Sequence, residues 1–518
     1  MLLVLMAIAS GVAYRSIDWD VAQPYLREVV KETTGRELGI EGDITFRLWP
    51  SPVLTVGKAS LSNAEWGSRP VMLEAGSLGF TIAVWPLLIG EIRLKNIILR
   101  DARLLLEESS TGLDNWGFDN AQATGGTDLE AVESITAIHL IDLQVEWKDT
   151  AGEDINLTFD EAHIVKRRTA PGFDLDARFQ EKDMAIDLAA SFSTPFYDYL
   201  QGAELHGRVV THSPDMDLEL DGHFGRLPGF EKLDLQVSAS GRRWPILHIF
   251  TGLPRGVTPP WEVSVRIARK IQKFELHDLD LTVAKNDLTG DLFIDMAASP
   301  PRFEGQLHSS SMDLTALDTT DTTVQTQGQA VTRTGKVLSN HLLEMDWISK
   351  LNTSIDLHID KLVLTDLHYN DLTGKVEITD GMLRAEPFQA MAGGVTAVGN
   401  IVIDTNTSPP TLSTSVTAQQ IDMGEITGYW SQPPFMSAIG NVQLVLSGTG
   451  NSPAAILASA TGHLRVVAGA GTAIVAQAEQ ATATVVLGAI ARTLEEEDAD
   501  AVKMNCFATN IVFEEGVG

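Results

Sequence analysis

Residues 355–360 read Ile355-Asp356-Leu357-His358-Ile359-Asp360. Odd positions are apolar and even positions polar or charged. In an extended strand a period of two puts Ile355, Leu357 and Ile359 on one face and the polar side chains on the other. The pattern recurs along the chain. Leu143, Val145 and Trp147 alternate with Gln144, Glu146 and Lys148, and Leu233, Leu235 and Val237 alternate with Asp234, Gln236 and Ser238. Each strand has one apolar and one wet face, which predicts a mainly β protein of antiparallel strands with few helices.

A weak repeat accompanies the alternation: a glycine followed by a short strand, at Gly207, Gly290, Gly374, Gly399 and Gly462. Its spacing is too irregular for a strict solenoid. Glycine inside strands fits a sheet of successive hairpins that must bend. Thr379-Asp380-Gly381 and Asn406-Thr407-Ser408-Pro409 read as turns at hairpin spacing. Helices are expected over Val21–Thr34, stopped by Gly35, near His341–Leu351, after Pro453, and over Ala473–Asp498. Segments 121–127 and 319–334 read as linkers. The pattern fits closed sandwiches and a curled sheet with an open apolar groove equally well.

The chain has 518 residues, too many for one ordinary core, and a formal net charge of −31. Such a surface repels nucleic acid and anionic headgroups, so lipid contact is expected to be apolar and internal. One cysteine, Cys506, excludes an intrachain disulfide; a buried structural thiol is expected there. Residues 1–14 carry no charged side chain, and Arg15 ends the run. A shortened transmembrane helix, a secretory segment and a buried core segment all fit. Trp85, Leu87, Leu88 and Ile89 form an apolar patch that fits either core or a membrane interface.

Motifs for chemistry are weak. Asp217, Glu219, Asp221 and Gly222 echo the start of a calcium loop, but Pro228 stands where the bidentate glutamate belongs, and the segment reads better as a strand. Twelve histidines, among them His139, His163, His206, His212, His358 and His368, show no metal-ligand spacing and read as surface residues. Gly393-Gly394 leads into a strand, which favours a hairpin over a phosphate loop. No nucleophile elbow, P-loop or dinucleotide fingerprint occurs. No enzyme activity, cofactor or metal is expected.

Several blocks carry a family resemblance. Thr34-Gly35-Arg36-Glu37-Leu38, Leu48-Trp49-Pro50-Ser51-Pro52, Asn63-Ala64-Glu65-Trp66-Gly67, the stretch Trp85 to Ile92, and Asn115-Trp116 form the first. Asp380-Gly381-Met382-Leu383, Met391-Ala392-Gly393-Gly394 and Ile421-Asp422-Met423 form the second, and Ser447 to Pro453, Asn505-Cys506 and Phe513 to Val517 the third. They resemble the AsmA family; residues from about 150 to 340 match in style more than in letters. The family keeps a full transmembrane helix before the first block and continues past the last, so the chain reads as shortened at both ends.

The resemblance implies a single-pass inner-membrane anchor, a periplasmic body, and an elongated repeated β-groove similar to bridge-like lipid transfer proteins. It implies a role in outer-membrane homeostasis through phospholipid transport. The expected organisation is an anchor over 1–16, an AsmA-like region over 17–120, a middle β-groove over 121–340, and a C-terminal AsmA-like region over 341–518. The apolar strand faces would meet acyl chains, through Leu143, Val145, Leu233, Leu235, Ile355, Leu357 and Ile359. The expected partners are the inner membrane, phospholipid acyl chains and outer-membrane components. A lipid-free scaffold for outer-membrane protein or lipopolysaccharide assembly is the alternative.

Overall fold

The computed structural model describes residues 22–47, 52–83, 94–109, 114–116, 134–148, 154–181, 184–200, 203–225, 232–242, 260–313, 343, 345–364, 367–392, 395–424, 436–473 and 502–518. The expected membrane segment, the Trp85 patch, both linkers and nearly all of the alanine-rich helix lie outside these residues. The chain forms two compact units, Met1–Gly241 and Arg242–Gly518, and their boundary falls inside the 121–340 segment.

Unit 1 opens with helix α1 (Ala22–Thr34). Gly35 ends it as expected, with φ +66° and its N–H donated to Lys31 O at 2.9 Å. Val30 packs on a core of Leu38, Phe46, Leu54, Val56 and Phe80. The strands are β1 (Leu38–Ile40), β2 (Ile44–Arg47), β3 (Val53–Ser62), β4 (Val71–Ile82), β5 (Leu94–Glu107) and β6 (Ala137–Lys148). There follow β7 (Asp154–Lys166), β8 (Phe173–Glu181), β9 (Met184–Phe192), β10 (Leu205–His212), β11 (Met216–Gly225) and β12 (Lys232–Gly241), with helix α2 (Phe196–Leu200) after β9. β1 and β2 both pair with β3, and from β3 onward each strand pairs with the next. The segment weighed as a calcium loop lies in β11.

Unit 2 holds β13 (Trp261–Lys270), β14 (Lys273–Val283), β15 (Asn286–Asp295), β16 (Arg302–Ser309), β17 (Met312–Asp313), β18 (Asn352–Leu364) and β19 (Leu367–Thr379). After them come β20 (Met382–Ala392), β21 (Val395–Asp404), β22 (Thr411–Asp422), β23 (Met436–Thr449), β24 (Thr461–Ala473), β25 (Val502–Met504) and β26 (Phe507–Phe513). Helix α3 (Pro453–Ala458) follows β23, and Ser452 caps it by accepting the Ala455 N–H at 3.2 Å. The expected helix near residues 341–351 is, in its described part, only a 3-10 turn over Ile348–Lys350. Asp380 and Gly381 both have positive φ and form the predicted tight turn between β19 and β20.

The expectation of antiparallel pairing needs one correction. β5 pairs with β6 in parallel, and β16 and β17 pair with β18 in parallel. The chain covers 108–136 before the first junction and 314–351 before the second, and these two excursions contain the predicted linkers. A connection that carries the chain back to the end where the earlier strand began lets the next strand pair with it in parallel.

Among the described residues no helix is long and apolar enough to cross a membrane.

Candidate functional site

Register places the apolar side chains of each unit in rows. In unit 1, Leu54, Phe80, Ile97, Ile138 and Ile164 stand partner to partner from β3 to β7. Leu175, Ala190, Val209, Leu220 and Val237 carry the row on to β12. A second row on the same face runs Ala59, Ala75, Ala102, Leu143, Phe159, Phe179, Ile186. In unit 2 one row crosses from β14 to β26: Leu279, Gly290, Leu307, Leu357, Gly374, Phe388, Gly399, Val416, Leu444, Leu464, Ile511. None of these rows contains a polar side chain.

Keeping the two unit 1 rows on one face takes a device that period-two reading misses. Leu140 and Leu143 are three residues apart, so strict alternation would put them on opposite faces. Asp142, at φ 55°, is an extra residue between them. Lys58 (φ 41°) and Asp101 (φ 51°) do the same in β3 and β5, and the pairing skips Gly76 and Asp160 at the same level. The result is a row of bulges aligned across β3 to β7, where the strands kink and the alternation resets. Aspartate suits this position because it tolerates left-handed backbone better than most residues.

The repeat glycines also act on the apolar face. A Cβ on Gly290 would lie 2.0 Å from Gln306 O, and one on Gly462 would lie 2.0 Å from Val445 O. Elsewhere a large neighbour fills the space: Phe388 Cζ lies 2.9 Å from the would-be Cβ of Gly399, and Phe192 Cδ1 2.8 Å from that of Gly207. At these two positions a ring occupies the space over the glycine and packs the face.

All seven residues proposed to meet acyl chains lie on these faces. Leu143, Leu235 and Ile359 are buried, whereas Val145, Leu233, Ile355 and Leu357 are half-buried. Half-burial is common along the rows: Ile97, Ile138, Leu140, Ile164, Val209, Leu220, Leu307, Phe388, Val416 and Leu444 share it.

The opposite face is mainly polar, with exposed apolar residues such as Val210 and Val467 among its polar ones. It carries exposed ion pairs such as Arg178–Asp187 and Arg208–Glu219, each at 2.8 Å. It also gathers histidines that sequence spacing left scattered. His139 and His163 face each other across β6 and β7, with Glu161 Oε1 2.8 Å from His163 Nε2. His308 and His358 face each other across β16 and β18, next to Asp360. Cross-strand partners are distant in sequence, so linear spacing could not show these groups. Cys506 is exposed, against the expected buried thiol, because it lies between β25 and β26 and not inside a strand.

The motifs Asn63–Gly67 and Asn115-Trp116 form a buried polar network. Asn63 Nδ2 donates to Glu107 Oε2 and Asn115 Nδ2 to Asn63 Oδ1, both at 2.9 Å. The Glu107 N–H donates to Asn115 Oδ1 at 2.9 Å, and Ser68 donates to Glu107 through both N–H and hydroxyl. Burial pushes the Glu107 carboxyl up. The hydrogen bonds from Ser68 and Asn63 and the charge of Lys148 outweigh it and hold the group below the usual glutamate range. Asn63, Ser68, Glu107 and Asn115 each have partners and tie β3, β5 and the following loop together, whereas the neighbouring Trp116 indole N–H is buried without one.

The AsmA family model matches residues 1–128 and 262–518. A similar curated protein is "AsmA family protein YhjG" of Escherichia coli (strain K12), 24% identical over 308 residues, which are 55% of this chain and 44% of that protein. The chain therefore spans less than half the length of that relative. No solved structure matches. With the family model covering both ends of the chain, including the blocks that build the Asn63–Asn115 network, the protein belongs to the AsmA family.

Proposed function

We propose that the apolar face of each unit holds phospholipid acyl chains, and that the protein moves or shields lipids between the inner and outer bacterial membranes. The observation that carries this reading is the uninterrupted apolar row from strand to strand, much of it half-buried. A soluble sandwich would fill such a face completely; a lipid-binding face keeps room for a guest. Each buried methylene stabilises the bound chain by about 0.8 kcal/mol, so an apolar trough lowers the barrier to crossing water without any catalytic residue. The reading is therefore of a non-enzymatic protein. Membership of the AsmA family and the uncharged run before Arg15 support an inner-membrane anchor with the body in the periplasm.

The test is mass spectrometry of lipids copurifying with the full chain and with Leu357→Asp. Leu357 is half-buried, so the new carboxylate reaches water and the fold survives, at a cost of about 1–3 kcal/mol in chemical denaturation. An acyl chain still loses apolar contact there, so bound phospholipid falls. Asp356→Asn on the wet face leaves both lipid content and stability unchanged. A lipid-free wild type, with Leu357→Asp unfolding outright, replaces this reading with the assembly scaffold.

A further inference from the structure

The outer face of unit 2 carries a group of donors that lipid handling does not use. His308 Nε2 lies 3.0 Å from Asp360 Oδ1, and His358 Nε2 lies 3.4 Å from the same oxygen. The three donor groups all lie within 4.8 Å of one another. A tetrahedral ion bound at about 2.0–2.1 Å separates its ligands by about 3.3–3.4 Å, close to the spacings seen here. A second carboxylate, Asp371 Oδ1, is 3.1 Å from His358 Nε2.

The backbone builds this arrangement. His308 and His358 are register partners across the parallel pair β16–β18. His358 and Asp360 are two residues apart on β18 and share its wet face, and Asp371 sits at a bulge with φ 49° opposite Asp360. Rigid strands fix the donors more closely than loops would.

We propose that His308, His358 and Asp360 bind a divalent transition-metal ion of the zinc class on the outer face of unit 2, pinning β16 to β18 across their parallel seam. The donor set decides the class. Two imidazoles and a carboxylate, with no thiolate, suit zinc, cobalt or nickel better than magnesium or calcium, which take oxygen ligands. The fourth position is left for water or Asp371. The seam is a sensible place for a pin, because parallel pairing is slightly weaker per residue and 42 residues of sequence (310–351) separate β16 from β18.

The test adds cobalt(II) alone, then zinc(II) alone, to the purified full chain. The visible ligand-field bands of cobalt should take the form of a four-coordinate ion and vanish when zinc is added. Zinc should raise the unfolding temperature, and a chelator should reverse the shift. His308→Ala and His358→Ala should each weaken binding at least about tenfold and abolish the thermal shift. In chelator both should melt like the wild type, since the side chains are exposed; His308→Gln repeats the test with a polar side chain closer in size. His163→Ala, at the other histidine pair, should keep the site. A hydrated-ion spectrum for the wild type overturns the proposal, and so does binding that survives His308→Ala and His358→Ala but is lost in His163→Ala.

Discussion

Asn115 has no exposed surface, and its amide is used at both ends: Nδ2 donates to Asn63 Oδ1 and to Leu105 O, and Oδ1 accepts from the Glu107 N–H. Gly67 explains the end of the Asn63–Gly67 block, since a Cβ there would lie 2.2 Å from Asn63 Nδ2. Gly67→Ala must push Asn63 off Glu107 and leave a buried carboxylate short of a donor. The expected loss is about 1–3 kcal/mol by urea denaturation, with the m-value unchanged. The pH dependence follows from Glu107. Its folded pKa lies below the unfolded one, so its contribution to stability is complete above the ordinary glutamate range. That contribution is lost as pH falls toward the folded value. Glu107→Gln is therefore expected to be less stable than wild type at neutral pH, with the difference shrinking in acid; pH-dependent melting curves measure it.

At the scale of the element, alternation made the strands legible wherever the phase held, as at Ile355–Asp360, which is strand β18 as read. It also put all seven acyl-chain candidates on the apolar face. The bulges were not legible, because Leu140 and Leu143 share a face only through a left-handed Asp142, which nothing in the local sequence announces. The parallel junctions were hidden too, since a linker does not reveal which end it returns to. The histidine groups escaped for the same reason, as register unites residues that are dozens of positions apart. The repeat glycines were legible as glycine positions inside strands, and their effect can be measured. Gly290→Ala meets Gln306 O at φ +144° and is expected to cost about 1–3 kcal/mol. Gly469→Ala, whose added Cβ meets only Ile439 O at 3.6 Å, should stay within about 0.5 kcal/mol in the same denaturation assay.

On the scale of the whole molecule, each unit separates its chemistry by face. One side holds the apolar rows, and the other holds ion pairs and histidines under a net charge of −31. Exposed pairs such as Arg178–Asp187 contribute little to stability; if the proposed function holds, the acidic surface would act mainly through long-range repulsion of anionic headgroups. On the proposed reading, a lipid would be discouraged from the wet face and favoured on the apolar one. Site-specific photocrosslinking of the full chain tests this most directly, with a photoreactive residue placed in turn at Leu357 and Val145 on the apolar faces and at Asp356 and Gln144 on the wet ones. Phospholipid adducts at Leu357 and Val145, and none at Asp356 and Gln144, are the expected result. Adducts at none of the four positions, or equally at all four, would contradict the account.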